Sequence, residues 1–202
     1  MNDNFYSLHI EKQTQVINAA LKEFVKSGFE KASTNEIVKG AGISKGSLFN
    51  YFNNKRDLYF FLIEHALKVV ETIYDDIDLT ETDIFNRLEQ IGLTKFAIQK
   101  KSPQIFDFLL SIKKEEADEV RADISKILDD TLEDNLGKVY QNIDYSKFRE
   151  DINIKRAVEI INWTLIGFAE KEGNVDSVQE IDSAIYKEWN SYSELLRRCF
   201  YK

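Results

Sequence analysis

Side chains able to make or break covalent bonds are scarce in this sequence. Of its 202 residues two are histidine, His9 and His65, and one is cysteine, Cys199. The acidic pairs Asp75-Asp76 and Asp129-Asp130 are sequence neighbours, so on a helix they point in different directions. No glycine-rich phosphate loop is present, and no nucleophile can be matched with a base. The sequence therefore predicts no catalytic residues, no metal site and no cofactor, and the chain is not expected to be an enzyme. A different chemistry is written in Ser44-Lys45-Gly46-Ser47-Leu48-Phe49-Asn50-Tyr51-Phe52. Lys45, Gly46 and Ser47 are small or polar and open a short segment, so its end can come close to another molecule. Asn50 carries both a donor and an acceptor, as pairing with a base edge requires. Leu48 and Phe52 are four apart and predicted to face a core.

The elements that position these residues read as helices. Ile17, Ala20, Leu21 and Phe24 form one apolar stripe, which predicts a helix from about Glu11 to Ser27. Gly28 closes it, and Phe29 supplies the accompanying hydrophobic contact. Ser33-Thr34-Asn35-Glu36 reads as a capping box that starts a second helix. That helix carries Ile37 and Val38 inward and ends at Gly40-Ala41-Gly42. A third, short helix follows Ser44, and Asn54 caps a fourth. The second and third are joined by Ala41-Gly42-Ile43, a glycine-containing turn of the helix-turn-helix kind. Seven residues of helix span roughly 10 Å, enough to lie in a major groove about 12 Å wide. The helix N-terminus, with its free amides and positive dipole end, suits phosphate.

Composition agrees with helices and with a divided molecule. One proline and eight glycines over this length leave few helix breakers. Further helices are predicted near 82–100, 103–117, 118–139, 152–172 and 178–200, with breaks at Lys101-Ser102-Pro103, around Asn142-Ile143-Asp144 and at Gly173-Asn174. No window alternates with period two, so no sheet is expected. The charge run Lys113 to Glu119 reads as a solvated helix face. The net charge of −8 is unevenly spread. Residues 1–56 hold eight basic and five acidic residues, a net of +3, which leaves a net of −11 for the remainder. The N-terminal part can approach a phosphate backbone while the rest discourages non-specific attachment. The lone cysteine, the absence of a signal-peptide start and the lack of an apolar run of roughly 18 residues place the protein in the cytoplasm and off the membrane.

From Ile17 to Leu58 the chain resembles the N-terminal domain of the TetR family of transcriptional regulators. The matching pieces are Ala19-Ala20 and Phe24, Gly28, Ser33-Thr34 with Ile37, Ala41-Gly42-Ile43-Ser44, the run Lys45 to Phe52, and Lys55 with Leu58. The remaining residues match only in helical character and length. The resemblance implies an all-α fold, with a three-helix helix-turn-helix domain over 1–53 and a larger helical effector-binding and dimerisation domain over 54–202. It also implies DNA contacts at Thr34, Asn35, Lys45, Gly46, Ser47, Asn50, Tyr51 and Lys55. Phe49 stands where the family usually has tyrosine, so a hydroxyl that often donates to phosphate is missing; contact with a sugar or thymine methyl remains open, as does plain packing.

By the same resemblance the last two long helices form a four-helix bundle in a homodimer. Two apolar stripes in 152–172 are compatible with this: Ile154, Val158, Ile161, Leu165 and Phe168, and adjoining them Ala157, Ile160, Thr164 and Gly167. The interface residues expected are Val158, Ile161, Leu165, Gly167, Ile185, Tyr192 and Leu196. Phe85, Phe106, Tyr140, Arg156, Trp163 and Phe168 are candidates to line a pocket for an unknown small-molecule effector; core packing is the competing reading for each aromatic. The expected function is a regulator, by default a repressor, that binds an operator with inverted-repeat symmetry and is released by the effector. The alternative is a DNA-binding regulator controlled by a protein partner or constitutive, with no small-molecule site.

Overall fold

The computed structural model describes residues 3–172 and 183–202; its regular elements are helices, and there is no strand among the described residues. In chain order the helices are α1 (Asp3–Tyr6), α2 (Ile10–Lys31), α3 (Thr34–Ala41), α4 (Lys45–Tyr51), α5 (Lys55–Asp75), α6 (Ile84–Lys101), α7 (Pro103–Ile112), α8 (Asp118–Tyr140), α9 (Ile154–Glu172) and α10 (Ser183–Phe200). One isolated antiparallel bridge pairs Phe148 with Tyr201. The Gly173-Asn174 break and the predicted start of the last helix lie outside the described residues.

The chain divides into two compact units. The first comprises residues up to Glu71 together with Ser102–Leu132, and the second Thr72–Lys101 together with Glu133–Lys202. The helix-turn-helix segment lies wholly within the first unit, along with most of α5, all of α7 and the first part of α8.

Local sequence explains how the first unit is cut into helices. α2 runs four residues past its predicted end, but its backbone breaks at Gly28, where φ is 66° and ψ is 176°. Only glycine takes that conformation cheaply. Ser33 accepts from the Glu36 amide, the first half of a capping box. The expected return bond is replaced, because the Ser33 amide donates to Glu23 Oε1 at 2.9 Å instead. Gly42, in the left-handed region, closes α3. Ser44 caps α4 by accepting from Ser47 N–H at 3.0 Å, and Asn54 Oδ1 caps α5 through Asp57 N–H at 2.8 Å. The predicted helix over 103–117 ends early at Ile112, so the charge run forms a corner between α7 and α8 rather than a solvated helix face. Within that corner Glu115 is half-buried and engaged.

The first unit's core is apolar and rich in aromatics. Phe24, Phe29 and Tyr59 cluster with centroids 4.7 to 6.5 Å apart, and Phe108 meets Tyr59 at 5.5 Å. A second aromatic group forms around Phe5, which the sequence reading did not single out. Its ring lies 5.2 Å from Phe52 and 5.1 Å from Phe61. In the second unit, Ile84, Phe85, Leu88, Phe148, Ala157 and Ile161 make a smaller apolar core beside buried charge.

Candidate nucleic-acid interface

α4 has two sharply different faces. Leu48 and Phe52 are buried, as the four-residue spacing predicts. Lys45, Gly46, Phe49 and Asn50 are exposed, and Ser47 is half-buried. The Asn50 side chain is exposed and makes no hydrogen bond to another described residue, so its amide group is free to pair elsewhere. Ser47 Oγ lies 2.8 Å from Ser44 Oγ, which positions its hydroxyl at the helix start. A Cβ built on Gly46 would meet only Ser44 Oγ, at 3.8 Å. Nothing inside the protein requires glycine there, so the space it leaves is on the outer surface. At the start of α3, Asn35 is exposed and Thr34 half-buried. The structure thus gathers Lys45, Gly46, Ser47, Phe49 and Asn50 on one short helix, with Thr34 and Asn35 opening the helix before it.

Two residues named from the sequence have partners inside the protein. Tyr51 is half-buried and edge-on to Phe5, with centroids 6.0 Å apart. Lys55 turns its ammonium onto the carbonyls of Glu30 at 2.9 Å and Ala32 at 3.4 Å, and over the ring of Phe29 at 4.9 Å. It thereby satisfies carbonyl groups that the end of α2 leaves open. A phosphate contact by Lys55 would compete with those bonds.

The geometry also names residues the sequence reading passed over. Lys12 donates to the carbonyls of Ala41 at 3.3 Å and Gly42 at 3.4 Å, pinning the turn of the helix-turn-helix to α2. Gly40 faces Ala19, and a Cβ on it would lie 3.2 Å from the Ala19 Cβ, so α2 and α3 pack closely here. No motif marks Lys12, because its partners are backbone carbonyls about thirty positions away.

The expected effector residues fall in both units. Phe106 belongs to the first unit and the other five to the second. Phe85 is core, 1% exposed, with its ring against Tyr201 and Arg197. Phe168 packs on Trp189 and Tyr192. The half-buried hydroxyl of Tyr140, its acidity suppressed by loss of solvent, donates to Asn162. Arg156 is exposed, and Trp163 is 67% exposed. Among the described residues no group of His, Cys, Asp or Glu is placed to hold a metal ion, and no helix is long and apolar enough to cross a membrane.

Of the residues expected at the interface, those on α9 are not all at the surface. Ile161 is fully buried in the second unit's own core, and Val158, Leu165 and Leu196 pack against that core. A residue with no exposed surface in one protomer has none to offer a partner. The adjoining stripe is divided: Ala157 is buried and Thr164 half-buried, whereas Ile160 is exposed, Gly167 has open space around it, and Trp163 and Ile166 beside them are exposed. On α10, Tyr192 and Leu195 are exposed, whereas Ile185 is half-buried. Both stripes are apolar and each has buried and exposed members, so periodicity could not decide which residues the protomer covers.

Comparison with known proteins finds similarity to bacterial transcriptional regulators. Residues 16–60 match the family model of bacterial regulatory proteins, tetR family. An uncharacterized HTH-type transcriptional regulator of Bacillus subtilis strain 168, YdgC, is 27% identical over 149 residues, covering 70% of this chain and 75% of that protein. The fatty acid metabolism regulator protein of the same organism is 30% identical over 67 residues, a third of each chain. Among solved structures, a TetR family transcriptional regulator from Chloroflexus aurantiacus shares the fold with a TM-score of 0.67 at 16% identity, covering 99% of this chain and 98% of that one. FadR from Bacillus subtilis, in complex with stearoyl-CoA, does so with a TM-score of 0.60 at 22% identity over 91% of this chain and 96% of that one.

Proposed function

From the match of residues 16–60 to the tetR family model and the shared fold, we propose that this chain is a regulator of the TetR type that binds an operator as a homodimer, as a repressor, and is released from it by a small-molecule effector. The observation that carries the DNA reading is the two-faced α4. Its buried Leu48 and Phe52 fix the helix, while Lys45, the open Gly46, Ser47, Phe49 and the unpartnered Asn50 face outward. In this reading Asn50 reads a base edge, the end of α4 approaches the phosphates, and Thr34 and Asn35 contact the backbone. Residues 1–53 act as the DNA-binding domain and 54–202 as the effector-binding and dimerisation domain.

The dimer surface proposed is the exposed stripe Ile160, Trp163, Ile166 and Gly167 of α9 with Tyr192 and Leu195 of α10. A two-fold dimer presents two recognition helices and calls for an operator of matching symmetry. The effector proposed is apolar or amphipathic. FadR, which shares the fold, binds the amphipathic stearoyl-CoA, and that supports the class without naming the molecule. An effector acts only by preferring the conformation that does not fit DNA.

Capture of genomic fragments by the purified protein, followed by footprinting, tests the reading. The expected result is protection of an inverted repeat with half-sites about one helical turn apart. Binding without sequence preference, or protection of a single half-site, would contradict it.

A further inference from the structure

The corner where α2 ends is held by a residue far away in sequence. Because α2 breaks at Gly28, the Phe29 amide lies beyond the regular helical ladder. It donates to Glu115 Oε2 at 2.7 Å, across 86 positions. The other carboxylate oxygen, Oε1, accepts from the Glu116 amide at 3.1 Å and the Ala117 amide at 3.0 Å. Those amides lead into α8, whose first bonds run from Val120 and Arg121 to the Ala117 carbonyl. A side chain serving only to cap α8 would need Oε1 alone. Glu115 uses its second oxygen to tie α8's start to the helix-turn-helix.

The Phe29 side of this contact is firmly set. Phe29 is 2% exposed and packs on Phe24 and Tyr59. Lys55 sits over its ring and holds the Glu30 and Ala32 carbonyls. The next residue, Ser33, is the N-cap of α3, and its amide is held by Glu23. The corner between Gly28 and Ser33 therefore sets how α3 leaves α2. Gly28 suits the contact because its φ is positive. The same corner borders an open cleft lined by Lys31, Lys55, Glu116 and Glu119, so water can replace the bond without stranding a charge.

We propose that Glu115 is a positioning residue for DNA recognition. Its carboxylate fixes the corner at Gly28 and Phe29 to the corner between α7 and α8, and so fixes the direction of α3 and α4. This rests on the DNA-binding reading above. Charge-assisted bonds of this kind are among the stronger ones in proteins.

The test compares full-length wild type with Glu115→Gln, Glu115→Ala and the neighbouring control Glu116→Ala. Amide hydrogen exchange at Phe29, measured without DNA, should quicken about tenfold in Glu115→Ala, less in Glu115→Gln, which keeps one acceptor oxygen, and not in Glu116→Ala. Affinity is then read on a duplex selected by the wild type from a random pool, counting only active molecules by stoichiometric titration. Glu115→Ala should bind about tenfold more weakly, with Glu115→Gln between it and wild type. A purely structural role would lower the melting temperature and the active fraction while leaving the Kd of active molecules unchanged, and that result overturns the proposal. Unchanged exchange at Phe29 overturns it as well. If the wild type selects no duplex, the DNA-binding reading falls and this proposal with it. If the wild type selects one and Glu115→Ala binds it equally well, only this proposal falls.

Discussion

In the first unit the largest fully buried side chains are Phe5, Phe24, Phe52, Tyr59 and Phe108, whereas in the second the largest is Arg87, with no exposed surface. Arg87 donates to the carbonyls of Leu79, Glu81, Val139 and Gln141, and so meets groups that the end of α8 leaves open. Near it Asp83, 4% exposed, caps α6 with Oδ1 and takes Lys147 and Arg197 on Oδ2, each at 3.2 Å. Arg197 also lies over the rings of Phe85 and Tyr201. An aromatic interior draws its stability from area and packing and has no charge to titrate. A charged interior contributes direction and register, but each member depends on its partners. The first unit keeps charge out of its interior and uses it only at the edges, through Lys12 and Glu115, whereas the second fixes the C-terminal end of α10 with buried charge.

The largest effect expected is from Phe5→Ala. Deleting a fully buried phenyl ring costs about 3–5 kcal/mol. Chemical denaturation should show that loss nearly unchanged between pH 7 and pH 4, since no titrating group is touched. A strongly pH-dependent loss would break the contrast between the two interiors.

Asp83→Asn should do the opposite. Burial pushes the Asp83 carboxyl up, but the Asn86 amide, Lys147 and Arg197 together outweigh that and hold it below its ordinary 3.8. A depressed folded value means the stabilisation is complete above the unfolded value and is lost as pH falls through the folded one. At pH 7 the variant should be less stable by about 1 kcal/mol, and the difference should shrink below about pH 4. A constant difference from pH 7 down to pH 3 would show that Asp83 acts through shape rather than charge.

The smallest effect on stability is expected at Gly46, outside both interiors. A methyl group added there would meet only ordinary contacts and would favour the helix, so Gly46→Ala should leave the unfolding midpoint within about 0.5 kcal/mol or raise it. Its effect should fall on operator affinity alone, because the added methyl occupies the surface meant to approach DNA. A loss of stability would place Gly46 in the fold instead of the interface.

The legibility of these features follows their range. α4 could be read residue by residue: Ser44 caps it locally, and Leu48 and Phe52 bury at helical spacing. α9 could be read as a helix but not oriented, because Ile160 and Ile161 sit on adjoining apolar stripes and only the packed core tells them apart. Glu115 looked like one charge in a solvated run, since its partner lies 86 positions away. Asp83 and Arg197, 114 positions apart, left no sequence signal of their own. Lys55 matched a family position, yet its nearest acceptors are the carbonyls that close α2.

The central claim is that α4 reads DNA through its exposed face, and Asn50→Ala tests it most directly. The Asn50 side chain is exposed and makes no hydrogen bond to another described residue, so its removal should leave folding intact. Affinity for the wild-type-selected site and for random duplex should be measured at one salt concentration. The account predicts a loss of about 1–3 kcal/mol on the selected site, relaxed preference at one position per half-site, and little change on random DNA. Equal loss on both duplexes, or no loss on either, would contradict it.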